Sequence, residues 1–281
     1  KRNTLFLNEK GRFIDRTTLI NFENDFLLIG NADKEKRLLR WINKYIIMEE
    51  IQTKDVSEKF VLVEFIGSQA ESFLTLLLGK EINSFDFTTV RRFDIDGFTF
   101  HFFVNQENNG MKIFKALINK EKCVDFVEYL FSIKSVFDLQ VIGNYAFDTF
   151  RIENAIPVYP NEINDSTNPH ETNLINEVSF KKGCYIGQEV IARLDTYDKV
   201  QRKLLKVNFG THIGSKEMLM VFDEDGNQVG EITSLSNSEL LQEQIGLILV
   251  RRKALENSNS FFVENGKTKI NIDVSESSDR K

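Results

Sequence analysis

Hydrophobic and polar residues alternate along this chain with two periods, and the period switches at turns rich in glycine, asparagine and aspartate. Period two predicts strands over 4–8, 12–21 and 26–29, separated by Glu9-Lys10-Gly11 and Glu23-Asn24-Asp25. That is an antiparallel meander. Over 33–46 the period becomes helical: Leu38, Leu39, Ile42, Tyr45 and Ile46 recur among Lys and Arg, with Trp41 near the apolar stripe. A polar connection, 49–57, follows. The next block reads strand 60–66, helix 70–78, strand 85–93, strand 98–104, loop 105–110, strand 112–118, helix 121–133 and strand 137–142. Asp96-Gly97 between alternating aromatic runs signals a hairpin. Two helices interleaved with antiparallel strands predict an α+β sandwich of ferredoxin-like type.

Beyond it, 145–153 reads as a helix, and Pro157 and Pro160 end regular structure. The polar, turn-rich 161–176 leads to a strand over 177–180, a glycine turn, and a short helix from about 187. Short strands over 204–209, 218–223, 228–234, 246–250 and 269–274 predict a small closed β-barrel. Four segments result: 1–57, a sheet plus helix; 58–142, the sandwich; 143–196, a connecting segment; and 197–275, the barrel. A mobile polar tail over 276–281 ends the chain.

Composition narrows the function. With 41% hydrophobic and 28% charged residues in 281, this is ordinary folded material. The 25 phenylalanines read as core filling. Acids outnumber bases 42 to 36, for a net charge of -6, which argues against general affinity for phosphate backbones. One local exception is 193–206, where Arg193, Lys199, Arg202, Lys203 and Lys206 face only Asp195 and Asp198. That stretch suits a folate carboxylate tail or a nucleic-acid phosphate, and equally a solvated strand face. The longest apolar runs, 60–66 and 245–250, are too short to span a bilayer, so no membrane role is expected. The chain opens Lys1-Arg2-Asn3 without a methionine and is read as starting inside a longer protein.

Metal binding is not expected: His101, His170 and His212 are scattered, and neither Cys123 nor Cys184 has a partner at zinc spacing. Asp223 to Asn227 imitates a calcium loop but carries Gln228 where the template needs glycine and Ser234 where it needs glutamate, so it reads as a hairpin turn. Two distant cysteines point to reduced thiols in a cytosol-like compartment.

The chemistry concentrates in Lys182-Gly183-Cys184-Tyr185-Ile186-Gly187-Gln188-Glu189, closed by Ala192-Arg193. Glycines allow positive φ or close backbone approach. Glu189 and Arg193, four apart, have the spacing of a helical ion pair with the acid in the first turn. A thiol beside a lysine and near a helix N-terminus is favoured as a nucleophile or redox group, while a cysteine that only packs is the competing reading. The string Lys-Gly-Cys-Tyr-x-Gly-Gln-Glu-x-x-x-Arg resembles the signature of the YgfZ family of tetrahydrofolate-binding proteins, relatives of the glycine-cleavage T-protein. Arg151-Ile152-Glu153 likewise resembles the Arg-x-Glu element that holds the pterin in those relatives.

The resemblance covers nearly the whole chain, is strongest over 151–204, and implies that the 1–57 sheet and helix are incomplete and completed by 143–196. It implies a ring-like, T-protein-like arrangement around a folate cavity, with tetrahydrofolate or a derivative as cofactor and no metal held by the chain. Glu153, Arg151, Tyr185, Gln188, Glu189 and Arg193 are implied as cofactor-binding residues, with Lys182, Gly183 and Gly187 as motif residues. Cys184 and Asp15 are the implied catalytic residues, Asp15 as an acid or base. The implied role is support of iron-sulfur cluster assembly or repair, and through it of tRNA-modifying cluster enzymes. Partners would be assembly or client proteins and tRNA, in the cytoplasm or, in a eukaryote, the mitochondrial matrix. A folate-dependent aminomethyltransferase is the enzyme alternative. Against it, the T-protein string lacks the Cys and the Gln-Glu, and its paired acids stand here as Asp15-Arg16. A tRNA- or partner-binding module without folate is the third reading.

Overall fold

The computed structural model describes residues 1–31, 35–106, 112–210, 212–213, 220–258, 260–265 and 268–275. The tail expected over 276–281 lies outside them, as do most of the 105–110 loop and the first two residues of the strand expected over 218–223. Strands β1 (Arg2–Leu7), β2 (Phe13–Phe22) and β3 (Asp25–Ile29) form a sheet in that order. The chain divides into two compact units, one of Lys1–Thr4 and Asp15–Val141, the other of Leu5–Ile14 and Ile142–Lys281.

In the first unit, α1 (Glu35–Tyr45) follows β3, and the sandwich comes next: β4 (Phe60–Phe65), α2 (Ala70–Leu78), β5 (Val90–Ile95), β6 (Phe98–Gln106), β7 (Lys112–Asn119) and α3 (Cys123–Ser132). Its sheet is antiparallel, in the order β4-β7-β6-β5. Alternation along β6 and β7 decides what each face buries. Phe100, Phe102, Val104, Ala116 and Ile118 pack under Phe73, Leu74 and Leu78 of α2 and Phe126 and Leu130 of α3. On the other face, Phe103 and Leu117 pack against Ile20, Phe22, Leu27 and Ile29 of the β2-β3 hairpin. The sheet is thus buried on both faces, which explains its density of phenylalanine. Asp96 (φ 48°) and Gly97 (φ 86°) make the expected two-residue turn.

Two expected strands do not form. Over 137–142 there is no ladder: Phe137 and Leu139 pack into the helix-side core with their backbone unpaired in any sheet. Their alternation reflects burial of every second side chain, which needs no strand partner. At 175–177 the chain makes a single turn of 3-10 helix, and the strand expected over 177–180 is absent. The strand expected from 85 starts only at Val90, because Asp86 folds 86–89 into a turn by accepting the Thr88 and Thr89 amides at 3.0 and 2.7 Å.

In the second unit, α4 (Asn144–Glu153) and α5 (Gln188–Thr196) precede the barrel. The barrel strands are β8 (Arg202–Asn208), β9 (Met220–Asp223), β10 (Gln228–Ser238), β11 (Glu243–Arg251), β12 (Phe261–Asn265) and β13 (Thr268–Ser275), with α6 (Arg252–Asn257) between β11 and β12. It closes in the order β10-β11-β8-β13-β12-β9. The 223–227 turn joins β9 to β10. Strand β12 and helix α6 were not anticipated from the sequence. Inside the barrel lie Leu205, Val207, Ile232, Ile248, Val250, Phe261 and Val263 among others. Outside it, Ile152 of α4 packs on Leu204, Ile245, Leu247 and Leu249. β11 is therefore buried on both sides and reads as an unbroken apolar run. Among the described residues, no helix is long and apolar enough to cross a membrane.

Candidate functional site

The positioning of Glu153 begins with a defect in β10. The register of β10 against β11 shifts between Ile232 and Ser234. A bulge exchanges the two faces of a strand, because side chains alternate with period two. Ile232 before the bulge and Leu235 after it both join the barrel core. Ser234, Ser236 and Ser238 are consequently turned outward onto α4.

The helix meets them in register. Thr149 and Glu153 are one turn apart, about 6 Å along a helix axis, and Ser236 and Ser238 are about 7 Å apart along a strand. Thr149 Oγ1 and Ser236 Oγ lie 2.6 Å apart, and Ser238 Oγ donates to Glu153 Oε1 at 2.5 Å. Lys206 Nζ donates to the Glu153 carbonyl at 3.3 Å, capping the C-terminal end of α4. No hydrogen bond to Glu153 Oε2 occurs among the described residues, and the side chain is half-buried.

Arg151 points inward, with its side chain 2% exposed. Its Nε donates to Asp148 Oδ1 at 2.6 Å, one terminal nitrogen to Glu162 Oε2 at 3.3 Å, and the other to Ser234 Oγ at 2.9 Å. Glu162, fully buried, also accepts from Ser234 Oγ at 2.5 Å and the Val158 amide at 3.1 Å. Asn161 donates to Ser234 Oγ at 3.0 Å. Arg151 thereby locks α4 to β10 two residues ahead of Glu153.

The 182–193 motif builds a turn and a helix start. Gly187 has φ 82°, and a Cβ there would meet the Asn8 carbonyl oxygen at 2.5 Å and the Gly11 Cα at 3.1 Å. Only glycine meets both demands. Gly183 has open space around it, so the expected need for glycine does not extend to it. Gln188 folds back, its Oε1 accepting the Tyr185 amide at 3.2 Å, while its own amide donates to the Tyr185 carbonyl at 3.2 Å. Tyr185 packs against the cluster of Leu7, Phe13, Ile163, Leu174 and Ile191. Burial pushes its phenol up, and its hydroxyl is buried without a hydrogen-bond partner. Lys182 Nζ lies 4.6 Å from the Tyr185 ring centroid. Cys184 is exposed. Glu189 and Arg193 are exposed as well, and the expected ion pair between them is not formed.

Asp15 belongs to the first unit. It is 1% exposed, with its carboxylate accepting the Arg16 amide at 2.8 Å and the Asn31 side-chain amide. The basic stretch over 193–206 is not one solvated face. Arg202 donates twice to Glu171 at 3.0 Å, and Arg12 reaches the same carboxylate at 2.6 Å. The sequence reading did not single out the partners Glu162, Ser234 and Ser238. The alternation in Ser234-Leu235-Ser236-Asn237-Ser238 was the available signal, yet the bulge that aims it is silent in the sequence.

Comparison with known proteins places this geometry in context. The model of the GCVT N-terminal domain matches residues 2–182. An aminomethyltransferase of Thermotoga neapolitana is 26% identical over 253 residues, covering 89% of this chain and 68% of that protein. A chloroplastic protein of Arabidopsis thaliana, named a transferase, is 24% identical over 264 residues; these are 93% of this chain and only 59% of that protein's length. The crystal structure of glycine cleavage system aminomethyltransferase T from Bartonella henselae superposes with a TM-score of 0.79 at 20% identity, covering 97% of this chain and 74% of that one. That likeness establishes the fold.

Proposed function

The chain belongs to the GCVT N-terminal domain family, and we propose that it is a tetrahydrofolate-binding member of it. The reading rests on the Glu153 carboxylate, fixed through Oε1 by Ser238 at 2.5 Å, while Oε2 has no hydrogen bond among the described residues. A pterin ring presents an N–H and an exocyclic amino group side by side, and a carboxylate accepts both with charge-assisted strength. A half-buried, acceptor-only group fits that donor pair, since partial desolvation strengthens such bonds. When bound, the folate supplies the carrier for a one-carbon unit. The chain's own part is to bind and orient it: Glu153 takes the ring, and Arg151 and Glu162 hold α4 in place beneath it. The motif turn, with Tyr185, Gln188, Glu189 and Arg193, flanks the ligand in this reading.

The physiological role follows the YgfZ-like motif. We assign the protein to support of iron-sulfur cluster assembly or repair, and through it of tRNA-modifying cluster enzymes, in the cytoplasm or an organelle matrix. The exposed Cys184 thiol, beside Lys182 and just ahead of α5, supports that assignment because it is accessible to a cluster or client protein. Folate-dependent aminomethyl transfer is the second reading, favoured by the names of the Thermotoga and Bartonella relatives. In it Asp15 is the candidate acid or base.

The deciding test is calorimetric titration of tetrahydrofolate, without oxygen, into the wild type and Glu153→Gln. Loss of one partner of a charged, desolvated hydrogen-bond pair costs on the order of 2–5 kcal/mol. Equal affinity in the two proteins removes Glu153 from the site, and no binding by the folded wild type removes the folate reading. Ammonia release from an aminomethylated carrier protein would turn the assignment to the second reading.

A further inference from the structure

We propose that Ser238 is a positioning residue for the folate site, an inference that rests on the reading of Glu153 as the pterin acceptor. The Leu241 amide can only donate, and it donates to Ser238 Oγ at 3.0 Å. A serine hydroxyl has one hydrogen. With its acceptor side taken by Leu241, Ser238 has that hydrogen directed at Glu153 Oε1, 2.5 Å away. The relay runs from the β10-β11 loop, through a side chain only 2% exposed, to the carboxylate at the end of α4. It fixes one carboxylate oxygen, and the other has no hydrogen bond among the described residues.

Ser238 also lines a cleft of about 310 Å³ with Gly210, His212, Asn237, Gln242 and Gln244. The conformation of that loop is therefore coupled to the orientation of Glu153. Ser238 touches no reacting atom in this scheme and acts entirely through Glu153.

The test is titration of tetrahydrofolate into the wild type, Ser238→Ala, Ser238→Thr, Glu153→Asp and the double variant Ser238→Ala/Glu153→Asp, with circular dichroism as the check on folding. Ser238→Ala is expected to raise Kd about tenfold, equivalent to about 1.4 kcal/mol. Ser238→Thr keeps a hydroxyl and is expected to bind within about twofold of the wild type. Glu153→Asp keeps a carboxylate but draws it back from Ser238, so adding Ser238→Ala to it should cost nothing further. An unchanged Kd in Ser238→Ala, no rescue by threonine, or full additivity in the double variant overturns the inference while leaving the folate reading standing. A folded wild type that binds no tetrahydrofolate overturns both.

Discussion

Replacing Arg151 by methionine tests whether the α4-β10 junction holds Glu153 in place. The substitution keeps the volume and apolar stem and removes the guanidinium. What remains is the Glu162 carboxylate, 0% exposed, with Ser234 Oγ at 2.5 Å and the Val158 amide at 3.1 Å as its donors. Removing one partner of a buried ion pair leaves the other charge uncompensated, at a cost of about 3–5 kcal/mol. The bond to Asp148 adds little: that carboxylate is 49% exposed and returns to water, a contribution of about 0–1 kcal/mol. Removing both charges is predicted to be far milder, so Arg151→Met/Glu162→Leu should recover most of the loss. Tryptophan fluorescence is the wrong probe, because the single Trp41 lies in α1 of the other unit. Native-state hydrogen exchange at amides of α4, β10 and β11 reads the second unit directly. Opening free energies unchanged within about 1 kcal/mol in Arg151→Met, or a double variant as unstable as the single one, would refute the argument. A third readout connects packing to function: Arg151→Met should weaken folate binding although Arg151 makes no ligand contact in this scheme.

Gly187→Ala should be among the most damaging changes in the motif. The left-handed backbone alone costs about 1–2 kcal/mol for a residue with a Cβ, and the clash with the Asn8 carbonyl adds to it. Gly183→Ala should change the thermal midpoint little; equal losses at the two positions would contradict the geometry. Cys184→Ala is expected to leave melting intact, since the side chain is exposed, and to abolish support of cluster-dependent enzymes in cells; normal enzyme activity there would reduce the thiol to a bystander. In the first unit, burial and then the nearby Arg92 hold His101 below the ordinary imidazole value, against the smaller opposing effect of Asp94. The folded chain therefore binds fewer protons, so this stability is complete above the unfolded value of about 6.5 and declines as pH falls below it. Melting curves of wild type and His101→Gln from pH 8 to 5 should converge toward acid; parallel curves would exclude the titration of His101 as the cause.

Features specified by neighbouring residues were legible in the sequence. Helix α2 spans 70–78 because its apolar spacing is helical, and the β5-β6 turn sits at Asp96-Gly97 because both residues accept positive φ. Alternation misled over 137–142, where Phe137 and Leu139 are buried one after the other without a strand neighbour. It also hid the helix-facing side of β11, whose two buried faces erase the period. Glu153 came into view through a motif resemblance, since an isolated glutamate at a helix end is ordinarily solvated.

The contact that gives Glu153 its geometry lies 85 residues away in sequence, at Ser238. No periodicity links positions so far apart, and the link needs the shift between Ile232 and Ser234 to turn the serines outward. Without it, strand alternation would carry Ser234, Ser236 and Ser238 to the same side as Ile232, inside the barrel. Three hydroxyls would then replace apolar volume in the core, Leu235 would point to α4, and Glu153 would lose its donor. Inserting one residue between Ser234 and Leu235 carries Leu235 to the α4 side and Ser236 and Ser238 inward; it should therefore damage the barrel and the folate site together, whereas Ser238→Ala should damage only the site. One insertion with two separable effects tests whether the phase set at the bulge aims these side chains. Barrel stability by hydrogen exchange and tetrahydrofolate affinity by calorimetry read the two effects independently. An insertion variant with a normal barrel and normal affinity would show that the serine row owes its direction to something other than strand phase.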